Sequence, residues 1–108
     1  MILTNIESVP GYKITAQYGL VSGSTVRSKN CLKDFGAGLK NMVGGELKGY
    51  TELLMEARAE STDRMKEQAR KMGANAIINV RYATSSITVG AAVVYAYGTA
   101  VVVQPIEG

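Results

Sequence analysis

Residues 91–104 read Ala91-Ala92-Val93-Val94-Tyr95-Ala96-Tyr97-Gly98-Thr99-Ala100-Val101-Val102-Val103-Gln104. The β-branched and aromatic content predicts a strand. Side chains of a strand alternate between the two faces of its sheet. Ala92, Val94, Ala96, Ala100 and Val102 therefore share one face, and Val93, Tyr95, Tyr97, Val101 and Val103 share the other. An antiparallel sheet with one wet face alternates apolar and polar residues. This strand is apolar on both sides and requires cover on both.

Working outward, Ala76–Thr84 (AIINVRYAT) is a second β-branched strand, and Ser85–Gly90 joins the two as a hairpin loop. Before them, Tyr50, Leu53, Leu54, Ala57, Ser61, Met65, Ala69 and Met72 recur at steps of three and four. That stripe predicts a helix from about Leu47 to Met72, closed by Gly73. Glu52 and Glu56 near its start, and Arg70 and Lys71 in its last turn, match the helix dipole. Nearer the N-terminus, Tyr12, Ile14, Ala16, Tyr18 and Leu20 alternate with Lys13, Thr15, Gln17 and Gly19. This predicts a strand with one apolar face, continuing to about Val26. Gly19 or Gly23 marks a bulge or a close backbone approach in it. Pro10-Gly11 ends a short extended piece over Ile2–Thr4. A short helix is predicted over Asn30–Val43, capped by Asn30, carrying Leu32, Phe35, Leu39, Met42 and Val43, and stopped by Gly44-Gly45. Gly36 and Gly38 inside it point to close packing, because their spacing is not that of a phosphate-binding loop.

The chain has 108 residues, enough for one domain, and 46% hydrophobic against 19% charged residues makes it globular. No apolar run approaches membrane-spanning length, and the start lacks the basic and apolar regions of a signal peptide. A cytoplasmic location is the default expectation, and the single Cys31 cannot form an internal disulfide. The net charge of +3 sits on one segment: Arg27, Lys29, Lys33, Lys40 and Lys48 face only Asp34 and Glu46 between residues 27 and 48. With only Phe35 among them, this lacks the aromatic-lined basic stripe of a nucleic-acid binder.

One long helix covers one face of a three-stranded sheet. The second apolar face exceeds what soluble monomers normally expose, so burial against further copies in a cyclic homo-oligomer is expected. The alternative within one chain is that the Asn30–Val43 helix covers it.

Several stretches together resemble the YbjQ-like family: Lys33-Asp34-Phe35-Gly36-Ala37-Gly38-Leu39-Lys40-Asn41-Met42-Val43-Gly44-Gly45, Gly49-Tyr50, Glu56-Ala57-Arg58, Gly73-Ala74-Asn75-Ala76-Ile77-Ile78, Gly98-Thr99-Ala100-Val101, and Tyr18-Gly19-Leu20-Val21-Ser22-Gly23. The resemblance spans the chain in order. It implies an α+β fold: a two-layer β-α-β-β subunit like that of dodecins, with a three-stranded antiparallel sheet and one long helix. It further implies a homopentameric ring, single or stacked in pairs, and no established biochemical function. The family carries a heavy-metal-binding label.

A soft-metal site uses thiolates and imidazoles, commonly three or four. This chain has no His and one Cys, so no metal ligands are assigned. Glu52, Glu56 and Glu60 share a helical face, which reads as solvated surface. Without His there is no Ser-His or Cys-His arrangement, no paired carboxylates stand out, and neither catalytic residues nor a cofactor are expected. Two function classes remain: a structural or interaction protein whose ring is its product, and a ring that binds a flavin- or nucleotide-like ligand or a metal. Dodecin-like rings stack flavins on aromatic side chains between subunits. This chain has no Trp, so Tyr95 and Tyr97 would supply the aromatic faces, with Arg81 and Tyr82 on the neighbouring strand and Arg27, Lys29 and Lys33 as the basic residues.

Overall fold

In the computed structural model, residues 1–28, 43–88 and 91–107 are described; for Ser28, for the residues of α1 before Gly49, for Tyr50, and at the hairpin end, the backbone alone is described. Strand β1 (Ile2–Leu3) and strand β2 (Tyr12–Ser28) precede helix α1 (Val43–Lys71), and strands β3 (Ala76–Thr88) and β4 (Ala91–Pro105) follow. The fold is α+β with one four-stranded sheet in the order β1-β3-β4-β2. The expected antiparallel trio is present, since β4 pairs antiparallel with both β2 and β3. The sheet is nevertheless mixed, because the extended N-terminal piece joins it as β1, parallel to β3. Backbone hydrogen bonds from Ile2 N–H to Asn75 O and from Thr4 N–H to Ile77 O lock it there, and Val80 N–H donates back to Thr4 O.

β4 is central, and the alternation of its side chains builds two cores. Ala92, Val94, Ala96 and Ala100 are buried on the helix side. There Val21, Ile77, Val80, Ala96 and Ala100 pack with Met65, Ala69 and Ala74. The stripe expected of α1 is the one used: Leu53, Ala57, Ser61, Met65 and Ala69 are all buried. On the other side of β4, Val101 and Val103 join Val9, Ala76 and Ile78, with Ile2 and Ile14 against them. The N-terminal segment thus covers one end of the second face.

Two expectations are corrected. The apolar face assigned to Tyr12–Leu20 does not survive, because the β2–β4 register shifts between Ile14 and Ala16 and again between Gln17 and Gly19. Each extra residue on β2 breaks the alternation. Ile14 packs in the second core, whereas Val21, Gly23 and Thr25 are buried beneath α1 and Leu20 is left 74% exposed. Gly19 takes a φ of 102° at the second shift, a conformation costly for any residue with a Cβ. Gly44-Gly45, expected to stop a helix, lie within the first turn of α1 instead. The first amides of a helix have no intrahelical acceptor, so glycine weakens that turn less than it would an interior one. The Asn30–Val43 helix lies, but for Val43 at the start of α1, outside the described residues. β3 also runs on to Thr88, four residues beyond the expected end.

Gly23 is where helix and sheet come closest. A Cβ there would sit on the carbonyl oxygen of Ser61, 2.5 Å from the Met65 nitrogen and 2.8 Å from Arg64 Cβ. The small residues Ala57, Ser61 and Ala69 allow the same approach from the helix side. The Ser61 hydroxyl lies 2.8 Å from Ala57 O and 2.9 Å from Val94 O, so this buried polar group is satisfied.

The strands carry the long dimension. Seventeen residues at roughly 3.3 Å each span about 56 Å, close to the 60 Å length of the molecule. The radius of gyration is 17.5 Å, against about 13 Å for a compact chain of this length. So slender a body leaves sheet surface without cover.

Candidate functional site

The helix side chains meet the outer edge of β2 at regular intervals. Ser22 N–H donates to Gln68 Oε1 at 2.7 Å, and Arg64 Nη1 donates to Ser24 O at 2.5 Å. A turn earlier, Glu60 accepts from Arg27 and also pairs with Arg64 Nη2 at 2.5 Å. The hydrogen bond from Arg27 holds the Glu60 carboxyl below the usual carboxylate range; the positive charges of Arg27 and Arg64 act the same way, and partial burial opposes them. These contacts close a strand edge with side chains of α1, a structural use of charge.

On the opposite edge, Arg58 of α1 lies over the ring of Tyr82 on β3, 4.4 Å from its centroid. The Tyr82 hydroxyl shares a hydrogen bond of 2.9 Å with Thr62, one turn further along α1. Arg81 donates to Asn5 O at 2.6 Å and to Val80 O at 3.0 Å. Around these groups runs a cleft of about 780 Å³ bounded by Leu3–Ile6, Pro10, Arg58 and Val80–Tyr82. It continues along α1 past Leu54 and Met55.

The third feature is the sheet face away from α1. Ser22 and Arg81 are opposite Tyr97, Ser24 and Ala83 are opposite Tyr95, and Val26 and Ser85 are opposite Val93. Tyr95 and Tyr97 are 38% and 39% exposed. β3 is paired to the N-terminal segment only as far as Val80, so from Arg81 onward its outer edge has no strand beside it among the described residues.

Of the residues expected to bind a ligand, Tyr95 and Tyr97 stand side by side on this open face. Arg27 does not join them; it points to the helix side, bonded to Thr25 and Glu60. Lys29 and Lys33, like Cys31, lie outside the described residues. Arg58 and Thr62 were not anticipated. Their four-residue spacing on one side of α1 was the available signal, but nothing in it named Tyr82 as the third member.

The sequence and the fold match known proteins. A family profile described as "Putative heavy-metal-binding" (YbjQ_1) covers residues 1–104. The chain is 62% identical over 104 residues to a UPF0145 protein of Hahella chejuensis, covering 96% of this chain and all of that protein. It is 51% identical to a UPF0145 protein of Thermus thermophilus, with 97% and 92% covered. A crystal structure from Pediococcus pentosaceus, of a protein with unknown function in the DUF74 family, shares the fold at a TM-score of 0.53 and 19% identity, covering 96% and 98%.

The chain therefore belongs to the YbjQ (UPF0145) family of uncharacterised proteins. Its family description is not matched by its donors. A soft-metal site draws on thiolates and imidazoles, and this chain has no His and one Cys. Among the described residues no three Asp, Glu, Cys or His side chains come together. Glu60, the carboxylate nearest such a role, is occupied by two arginines. No described helix is long and apolar enough to cross a membrane.

Proposed function

We propose that this chain is the subunit of a homo-oligomeric ring, acting as a cytoplasmic structural or interaction protein rather than as an enzyme. The observation that carries the proposal is the open sheet face: on β2 Leu20 is 74% and Val26 56% exposed, beside Tyr95 and Tyr97 of β4, and beyond Val80 the far edge of the sheet, β3, has no strand beside it among the described residues. Together these four side chains present on the order of 400 Å² to solvent, at the scale of the largest patch on a typical monomer, and often a functional one. Five copies is the number the family resemblance carries. Native mass spectrometry of the purified chain tests the proposal: an oligomer of defined subunit number is the expected result, and a single-chain species at micromolar concentration overturns it.

A second reading, a ring that binds a flavin- or nucleotide-like ligand between subunits, is favoured by the adjacent exposed rings of Tyr95 and Tyr97, with Arg81 directly across from Tyr97. An absorbing chromophore that purifies with the protein, or a thermal shift with flavin mononucleotide, is its expected signature.

A further inference from the structure

We propose that the cleft between Arg58 on α1, the Arg81-Tyr82 pair on β3 and the N-terminal segment binds a small organic anion. Arg58 and Arg81 would take its phosphate or carboxylate group, and Leu3, Ile6 and Val80 its apolar body. The site is formed by one chain, and of its residues Arg81 alone also borders the open sheet face, where it is opposite Tyr97.

Among the described residues two guanidinium groups line the cleft and no carboxylate does. The Arg58 side chain makes no hydrogen bond or ion pair among the described residues; its contact is the face of Tyr82. Stacking on an aromatic face leaves the edge of the guanidinium, with its fork of N–H donors, available to a planar oxyanion. The Tyr82 ring is itself anchored through its hydroxyl to Thr62, so the platform is set before a ligand arrives. That reduces the ordering cost of binding. Arg81 is anchored in turn by carbonyls of Asn5 and Val80, through Nη1 alone. Its remaining N–H groups are not used by the described residues.

The backbone contributes as well. Val80 N–H points outward from the sheet to Thr4 O. Amides along a strand alternate in direction, so the Tyr82 amide points out at the same edge, where the N-terminal segment has turned away. The cleft, about 780 Å³, lies within the size range of small-molecule sites. Its walls combine the apolar lining and few convergent polar groups typical of such sites. Lysine-rich surface would attract anions with no such order; here each cation is held by a specific contact.

Isothermal titration of the native assembly with phenyl phosphate tests this, with inorganic phosphate and phenol as the separate halves of the probe. Saturable binding of phenyl phosphate, weaker binding of inorganic phosphate and none of phenol are expected. Arg58→Gln and Arg81→Gln should each weaken binding about tenfold or more, the scale of a lost charge-assisted hydrogen bond. Arg58→Lys, which keeps the charge and loses the fork, should fall between. Lys13→Gln, at an exposed position away from the cleft, should bind as the parent does. The proposal is overturned if the parent shows no saturable binding, or if Arg58→Gln and Arg81→Gln bind phenyl phosphate unchanged. It is also overturned if Arg58→Gln alters subunit number with affinity unchanged, which would assign the guanidinium to a neighbouring copy's carboxylate.

Discussion

Replacing Gly23 with alanine adds one methyl group at the closest contact between α1 and the sheet. Ordinary contact begins near 3.4 Å, whereas the new Cβ would lie 2.5 Å from the Met65 nitrogen and 2.8 Å from Arg64 Cβ. The helix backbone must therefore retreat by about 0.9 Å at Met65 and about 0.6 Å at Arg64. Neither neighbour is a flexible side-chain tip, and both lie on the helix that forms the main core. Overpacking of this kind costs about 1–3 kcal/mol. The lower chain entropy of unfolded alanine returns less than about 1 kcal/mol. A fall in melting temperature of about 5–15 °C follows for a domain of this size. Gly19→Ala is the matched control: nothing lies within 4 Å of its Cβ, so only its positive φ is penalised, at roughly 1 kcal/mol. Calorimetry at fixed protein concentration should rank Gly23→Ala below Gly19→Ala, and both below the parent. Hydrogen exchange adds a local readout, because the Ser22 amide held by Gln68 should exchange faster in Gly23→Ala. An unchanged melting temperature, or the reverse ranking, would refute the packing described for Gly23.

Met65 has no exposed surface and lies in the helix-side core, so Met65→Ala should cost about 2–5 kcal/mol in denaturant titration. Glu60 has a folded-state pKa below its unfolded value, so it stabilises the fold above about pH 4.3 and loses that contribution as pH falls through the folded value. Glu60→Gln should therefore melt below the parent at neutral pH, with the gap closing at lower pH, as pH-dependent calorimetry would register. Leu20→Asp places a charge on the most exposed apolar side chain of the open face; sedimentation should find smaller assemblies with circular dichroism unchanged.

Periodicity carried α1 and β4 through from sequence to structure, because each buries most of its stripe: Leu53, Ala57, Ser61, Met65 and Ala69 on the helix, though not Met72, and Ala92, Val94, Ala96 and Ala100 on the strand, with Val102 half-buried. It failed at Ala16, which the first register shift turns to the helix side. The second, near Gly19, returns Leu20 to the face of Ile14, where it is 74% exposed, and neither bulge has a unique signature in the sequence. The extended piece over Ile2–Thr4 was legible, but not its place in the sheet as β1, because its parallel pairing is set by distant Asn75–Val80. The requirement for cover on both sides of β4 was legible, but not that Val9 and Ile14 would supply part of it at Val101 and Val103. The Arg58–Tyr82 contact joins residues on different elements: the sequence marks Tyr82 only as a neighbour of Tyr95 and Tyr97 and assigns Arg58 no role, and only the fold brings them together.

The Gln68, Arg64 and Glu60 contacts along Ser22, Ser24 and Arg27 have a topological consequence. Endless fibrils need two sticky borders per molecule, one to receive and one to offer, as links in a chain do. Here α1 seals one border over that stretch, while the other, β3 beyond Val80, has no strand beside it among the described residues. Strand-to-strand hydrogen bonding therefore cannot propagate from copy to copy through that part of the sheet.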